Sequence, residues 1–312
     1  MANQDDTRKK ILSIGNVSVD IKAYSPEEET EGYRDGTIEL VPGGVGRGMA
    51  INLKHLGFET FIYSYVGNDI FGDYLRKGLQ QEKIDTTLLF TSPTQETSLF
   101  SVMTGAKKKS SCIYNTKILR EIDFNEKIIS FIEENGINVL AVDSNLREET
   151  YAQIYEYKKS HPEIFIFQNA TAPDIARKTI PYAHLIDLFA CNEFEASAIL
   201  GEKEILPDLS LADKMQQIGF KNFIVTFGSQ GVMVRIGNDT WNEPPYTPSN
   251  IVDTIGAGDA FASGFLMGFL SHQQVKNCIH YGLICAKETL LTRQTVSDSL
   301  SRDFLESYKI KT

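Results

Sequence analysis

Hydrophobic positions along this chain follow two alternating rhythms. Ile11-Leu12-Ser13-Ile14-Gly15 is a short apolar run that ends on a glycine, which predicts a buried strand entering a loop. Val45, Met49, Leu53 and Leu56 then fall at helical spacing, with Gly57 placed to end the helix. A strand over Thr60 to Val66 and a helix from Ile70 to Gln80 follow. From residue 125 the alternation is regular. The pattern predicts helices at Asn125–Asn135, Arg147–Lys159, Glu193–Leu200 and Leu211–Ile218. Between them it places strands at Ile137–Val142, Ile164–Phe167, Leu185–Ala190, Phe223–Thr226 and Val232–Ile236. Helix and strand in turn imply an α/β fold, with a mainly parallel central sheet covered by helices on both faces. Val19–Tyr24, Thr37–Val41 and a hairpin of Ser98–Thr104 with Ser111–Asn115 do not fit that rhythm. They are assigned to a small accessory sheet, a lid drawn from residues 19–41 and 98–115. The acidic stretch Glu27–Glu31 and the run Lys107-Lys108-Lys109 are read as solvated turns of that lid. No repeat or long linker interrupts the pattern, so residues 1–312 are expected to form one domain.

Charge and cysteines narrow the function classes. Asp plus Glu number 41 against 31 Lys plus Arg, a net charge of −10, which argues against nonspecific nucleic-acid binding. The four cysteines (Cys112, Cys191, Cys278 and Cys285) form no C-x-x-C pair and suit no zinc site. They read as thiols in a reducing compartment. Met1 to Lys10 is polar and no apolar run approaches a membrane span, so a cytoplasmic protein without a membrane partner is expected.

The candidate chemistry lies at Gly256-Ala257-Gly258-Asp259, where a glycine-rich loop runs into the apolar helix Asp259–Leu270. Residues this small expose backbone N–H groups to an anion, and the helix start adds partial positive charge. The same helix start is expected to keep Asp259 ionised, as a general base for an alcohol attacking a phosphate must be. The plainer reading is a helix-start carboxylate after a turn. The common nucleotide motifs fail here. G-x-G-x-x-G would need glycine at Phe261 or Met49, and a phosphate-binding loop starting at Gly43 would need Lys-Ser/Thr where Met49-Ala50 stand.

Asp253-Thr254-x-Gly256-Ala257-Gly258-Asp259-x-Phe261 resembles the second signature of the ribokinase-like (PfkB) superfamily, and Gly43-Gly44-Val45-Gly46-Arg47-Gly48-Met49-Ala50 its first. Asn192-Glu193-Phe194-Glu195 is similar to its N-x-x-E motif, and Val225 to Gly231 to its nucleotide-side strand and loop. The resemblance covers residues 11 to about 300 and implies a three-layer α/β/α fold with a small β-sheet lid. It implies ATP and Mg²⁺ as cofactors, Asp259 as base, and Gly256, Ala257 and Gly258 as anion hole. Asn192 and Glu195 would organise Mg²⁺ and phosphates through water, although Asn192 alone reads as a helix N-cap. Thr226, Gly228 and Gly231 would line the ATP side. Asp253 stands where some members bind a monovalent cation, which makes K⁺ a candidate activator. Asp20 matches the sugar-gripping aspartate, and Gly43 and Gly44 match a diglycine that lets hydroxyls meet backbone amides. Asp143, ending a strand, is expected to face the same cleft.

Within the superfamily, three short fragments resemble pseudouridine kinases: Gly43-Gly44-Val45-Gly46-Arg47, Val142-Asp143-Ser144-Asn145-Leu146 and Thr295-Val296-Ser297 through Ser301. Pseudouridine is therefore the first acceptor to consider. Ser18 and Gly48 stand where many relatives carry asparagines that contact the sugar. That departure keeps other sugars (ribose, fructose or related) and a non-catalytic nucleoside or sugar sensor open. Arg47 is read either as a substrate contact or as a partner of a lid carboxylate. Phe100 and Tyr114 are read as covering the substrate or packing the lid, and His280 as structural or near the adenine pocket. Exposed lid strands offer an edge for a homodimer.

Overall fold

In the computed structural model, residues 9–26, 33–105 and 110–308 are described. The acidic turn at 27–31 and the lysine run at 107–109 lie outside them. The strands in chain order are Lys10–Ile14 (β1), Ser18–Tyr24 (β2), Thr37–Gly43 (β3), Glu59–Gly67 (β4), Leu89–Ser92 (β5), Ser98–Thr104 (β6), Ser110–Asn115 (β7), Val139–Asp143 (β8), Phe165–Asn169 (β9), Leu188–Asn192 (β10), Asn222–Thr226 (β11), Val232–Ile236 (β12) and Asp239–Glu243 (β13). The helices are Val45–His55 (α1), Ile70–Gln81 (α2), Glu126–Asn135 (α3), Glu148–Ser160 (α4), Pro173–Ala176 (α5), Glu193–Leu200 (α6), Leu209–Ile218 (α7), Ala257–Leu270 (α8), Val275–Thr289 (α9) and Arg302–Ser307 (α10).

Nine strands form the main sheet in the order β13-β12-β11-β10-β9-β8-β1-β4-β5. The run from β11 through β5 is parallel, and only β12 and β13 add antiparallel strands at one edge. The central strands are apolar on both faces because both faces are covered. Leu12, Ile14, Leu140 and Val142 pack under α3, α4, α6 and α7. Ile11, Val139, Ala141 and Ala190 pack under α1, α8, α9 and α10. This is the three-layer α/β/α arrangement. The second, smaller sheet has the order β3-β2-β6-β7 and is separate from the first. Among the described residues no helix is long and apolar enough to cross a membrane.

The departures from the sequence reading fall at strand ends and edges and at helices: α8 begins at Ala257 rather than Asp259, and the short helices α5 and α10 were not expected. β3 runs through Pro42 to Gly43 rather than stopping at Val41. β10 starts at Leu188, because residues 177–185 form a 3₁₀ turn. β9 reaches Asn169, beyond its apolar core. The edge strands β5 and β13 were not expected.

Candidate active site

The parallel strands end on polar residues in one row. Asp143 of β8 pairs in register with Asn169 of β9, and Asn192 of β10 with Thr226 of β11. Gly15 and Asn16 follow β1 on the same edge. Ligands gather at such carboxyl edges because the adjoining loops diverge there. Here the start of α8 faces the row. Asn169 Nδ2 donates to Asp259 Oδ1 at 2.8 Å.

Three cavities run through this edge. A central one of about 200 Å³ is lined by Asn169, Asn192, Glu195, Thr226, Gly256, Gly258 and Asp259. It shares Gly256 and Asp259 with a cleft of about 260 Å³ against the small sheet. On the other side it shares Asn192, Thr226 and Gly258 with a more apolar cleft of about 440 Å³. A ligand in each outer cleft would meet at the Gly256–Asp259 corner.

That corner is built from an unusual helix start. Gly256 precedes α8 with φ 90°, a left-handed conformation, and no side chain caps the helix. A Cβ on Gly256 would lie 2.2 Å from the Thr295 carbonyl oxygen, so glycine is required by both backbone and space. The Ala257 amide donates to the Thr254 carbonyl at 3.3 Å, and the rest of this uncapped first turn offers backbone donors to an anion.

The electrostatics correct one expectation. Burial pushes the Asp259 carboxyl up from 3.8 to about 7, and the Asp143, Glu195 and Asp20 carboxylates raise it further against the hydrogen bond from Asn169. The helix start does not by itself keep Asp259 ionised in the free site. A value near 7 still suits a general base working at neutral pH.

In the cleft against the small sheet, Asp20 is buried, and that burial raises it to about 6. Ser18 Oγ donates to its Oδ1 at 3.2 Å. A Cβ on Gly43 would sit 2.0 Å from Asp20 Oδ1, so the glycine makes room for the carboxylate. Ser18, Asp20, Gly44, Gly48, Phe100, Tyr114 and Asn145 line this cleft together with Asp259. Tyr114 OH donates to Asp174 Oδ2 at 2.9 Å and ties the small sheet to the main body.

Asp143 and Arg47, both expected to face the ligand, do not line this cleft. Asp143 is fully buried and does not line the cleft. Its oxygens accept from the amides of Asn16 and Asn145, both at 2.8 Å, and from Thr171 Oγ1 at 2.7 Å. It holds three cleft-lining segments in place instead of facing the ligand itself. Arg47 is also buried. Its guanidinium donates to the Pro42 carbonyl at 3.0 Å and to Thr295 Oγ1 at 3.3 Å, which joins β3 to the chain beyond α9. It makes no hydrogen bond to a lid carboxylate among the described residues, but its charge acts on Asp20 of β2 and lowers that carboxyl against the effect of burial.

On the other side, Asn192 and Glu195 form a reciprocal capping box at the start of α6. Asn192 Oδ1 accepts from the Glu195 amide at 3.0 Å, and Glu195 Oε2 from the Asn192 amide at 2.8 Å. The N-cap reading of Asn192 therefore holds, and the residue lines both cavities as well. Burial raises Glu195 to about 7. Gly228 and Gly231 flank a 3₁₀ turn after β11 and line the larger cleft with Thr226.

The pfkB family carbohydrate kinase pattern matches residues 8–302. The chain belongs to the pfkB family of carbohydrate kinases. It is 25% identical over 304 residues to a pseudouridine kinase of Escherichia coli (strain K12), covering 93% of each chain. It is 24% identical over 276 residues to a ribokinase of Bacillus subtilis (strain 168), covering 88% of this chain and 90% of that one. The Arabidopsis thaliana ribokinase solved with ribose and ATP superposes with a TM-score of 0.81 at 18% identity, covering 97% of this chain and 100% of that one. The fold is therefore ribokinase-like.

In this pfkB-family kinase the surroundings of Asp253 do not fit a potassium ion. Its Oδ2 accepts from Lys22 Nζ at 2.6 Å and from Tyr24 OH at 3.0 Å. Its Oδ1 accepts from the amides of Thr254 at 2.7 Å and Ile255 at 3.2 Å. Burial alone would raise this carboxyl, but the Lys22 and Ile255 hydrogen bonds hold it below its ordinary value. Both oxygens are already engaged.

Sequence reasoning missed Asn169, Thr171, Asn16 and Lys22. Only Asn16, just past a strand-ending glycine, carried a local signal. His280 stands behind the larger cleft, its Nδ1 2.8 Å from the hydroxyl of the lining residue Tyr246. Cys278 and Cys285 are buried against α8, and all four cysteines are free.

Proposed function

We propose that this pfkB-family chain transfers the γ-phosphate of ATP to a hydroxymethyl group of a nucleoside or sugar. The observation that carries this reading is the shared corner. One carboxylate and one uncapped helix start lie where an acceptor cleft and a nucleotide cleft meet. In this reading the acceptor hydroxyl approaches Asp259, which takes its proton once ionised. The Gly256–Ala257–Gly258 segment at the start of α8 serves as the anion hole for the charge that builds on the transferring phosphoryl oxygens, the Ala257 amide turning from the Thr254 carbonyl to do so. Thr226, Gly228 and Gly231 flank the nucleotide.

The donors present suit Mg²⁺ brought in by phosphates rather than a protein-built cage. Among the described residues no group of three or more His, Cys, Asp or Glu is placed to hold a metal ion. Mg²⁺ commonly uses one or two carboxylates, water and substrate phosphates. Glu195 and Asn192 would hold it through water, where a divalent cation supplies counter-charge for the nucleotide phosphates. Such a counter-charge suits a corner where Asp20, Asp143 and Glu195 all raise Asp259.

The acceptor cleft suits a ligand rich in hydroxyls. Asp20 offers a carboxylate whose ionisation would be restored by donors. Asn16 Oδ1 is buried without a hydrogen-bond partner and belongs to a cleft-lining residue. It supplies an amide two positions before Ser18, where relatives carry asparagine. The Val142–Leu146 fragment and the Escherichia coli relative favour pseudouridine as first acceptor, giving pseudouridine 5'-phosphate. Ribose-type sugars are the second choice, on the Bacillus subtilis relative. An ADP-release screen of nucleosides and sugars with Mg²⁺ and ATP tests this. Pseudouridine should give the highest kcat/KM, preference for ribose would replace it as substrate, and binding of acceptors without any turnover would leave a sensor.

The whole chain would act as one domain in the cytoplasm, with the small sheet as lid and no nucleic-acid or membrane partner. A homodimer through that lid is part of this proposal. Ile38, Leu40, Met103 and Ile113 are exposed on it, and the strand register places them on the face opposite Asp20. Light scattering should give twice the chain mass, and Ile113→Glu should return a monomer. A monomeric wild type would remove the dimer.

A further inference from the structure

Lys22 is the feature that the proposed reaction does not use. Its ammonium has no solvent exposure, an arrangement that is costly unless the charge is well paired. It is held by Asp253 Oδ2 at 2.6 Å and by the Arg293 carbonyl at 2.8 Å. These two partners come from the two segments that frame the α8 start. Asp253 also accepts the amides of Thr254 and Ile255, immediately before Gly256. Arg293 lies two residues before Thr295, whose carbonyl abuts Gly256. Tyr24, also on β2, adds its hydroxyl to the same carboxylate, and the Arg293 guanidinium lies over its ring at 5.2 Å.

We propose that the Lys22 ammonium is a built-in monovalent cation that sets the Gly256–Ala257–Gly258 turn at the start of α8 and makes the protein independent of K⁺. A lysine ammonium is a compact point charge with three donors, so it can bridge a carboxylate and a carbonyl as a small ion would. Unlike a free ion it is attached to the chain. It sits on β2 two residues from Asp20, and the strand period puts both on one face. Lys22 is thus a positioning residue, acting on the anion hole through Asp253 and the Arg293 segment. The inference rests on the phosphoryl-transfer reading for its effect on turnover, but its effect on the loop is independent of that reading.

The test compares KCl with tetramethylammonium chloride at equal ionic strength, for the full chain and for Lys22→Ala and Lys22→Gln. Wild-type Tm and ADP release should be the same in both salts. In tetramethylammonium, Lys22→Ala should lose at least about tenfold in turnover. K⁺ should restore most of that loss and raise the variant's Tm, because the emptied space now admits the ion. Lys22→Gln fills the space without the charge, so it should stay impaired in both salts. A wild type stimulated by K⁺ overturns the proposal. So does a Lys22→Ala variant that works fully in tetramethylammonium, or one that neither salt stabilises or restores. If no acceptor supports turnover, ATP affinity by calorimetry replaces ADP release. In that case the kinase reading fails, while the Tm and affinity responses still decide the role of Lys22.

Discussion

Asp259→Asn is expected to lower turnover by about 10³-fold or more while ATP affinity, measured by calorimetry, changes less than about threefold. The amide keeps the shape and the Asn169 neighbour but cannot take a proton. The same change has a second, pH-dependent signature. The carboxyl rises from 3.8 to about 7 in the folded protein, so the folded state prefers the protonated form. Its contribution to stability is fully present below the unfolded value and is lost as pH rises through about 7. Above that, the native protein carries a penalised charge. The variant should therefore melt about 2 °C or more above the wild type at pH 8, with the gain vanishing towards pH 4. Wild-type activity should move the other way, with kcat/KM for the acceptor falling as pH drops below about 7. A variant that turns over normally would end the role of Asp259 as base. A variant that loses turnover but gains no stability at pH 8 would leave the base and remove the argument about its burial.

Gly256→Ala should be the other severe substitution, for a different reason. A side chain at φ 90° is strained, and the new methyl would stand 2.2 Å from the Thr295 carbonyl oxygen. Strain of this kind costs about 1–3 kcal/mol, so a lower Tm is expected. The clash can be relieved only by moving the loop or the Thr295 segment, and a misplacement of about 1 Å can cost about 10²-fold in rate. Gly258→Ala is the internal control. A Cβ there meets nothing within 4 Å, so Tm should hold, and the change should be felt mainly as a higher KM for ATP. Equal turnover in Gly256→Ala and the wild type would show that the left-handed turn does not shape the phosphate site.

How much of this could be read from the chain depended on whether the information was local. The α8 corner lies in a short stretch whose residue types suggest an anion site, while the Asn192–Glu195 box and Asp20 became legible only through the resemblance to family motifs. The layers followed from apolar runs alternating with helical spacing. What could not be read was held by distant partners. Lys22 and Asp253 are 231 positions apart, and nothing near either announces the other. Asn169 falls two residues past the strand expected over Ile164–Phe167, and its value comes only from Asp259 lying opposite. Asp143 misled because a carboxylate ending a parallel strand commonly faces the ligand. Here the missing side chain of Gly15 lets the first loop close over it, since a Cβ there would lie 2.2 Å from Asp143 Cβ. The edge strands β5 and β13 escaped because their half-covered residues lack the apolar density of the centre.

The short span from Asp20 to Lys22 also bears on how such a protein can change over evolutionary time. One residue addresses the acceptor cleft, and the other braces the loop at the opposite end of the reaction path. A mutation that shifts or twists β2 to admit a new acceptor would drag the phosphate end along with it. Diversification is therefore channelled to places where a change stays local: Ser18, Gly48, and the Phe100 and Tyr114 side chains of the hairpin. Ser18 and Gly48 are also the two positions where the family resemblance leads one to expect asparagine, and laboratory evolution towards new acceptors should begin there and leave Lys22 alone.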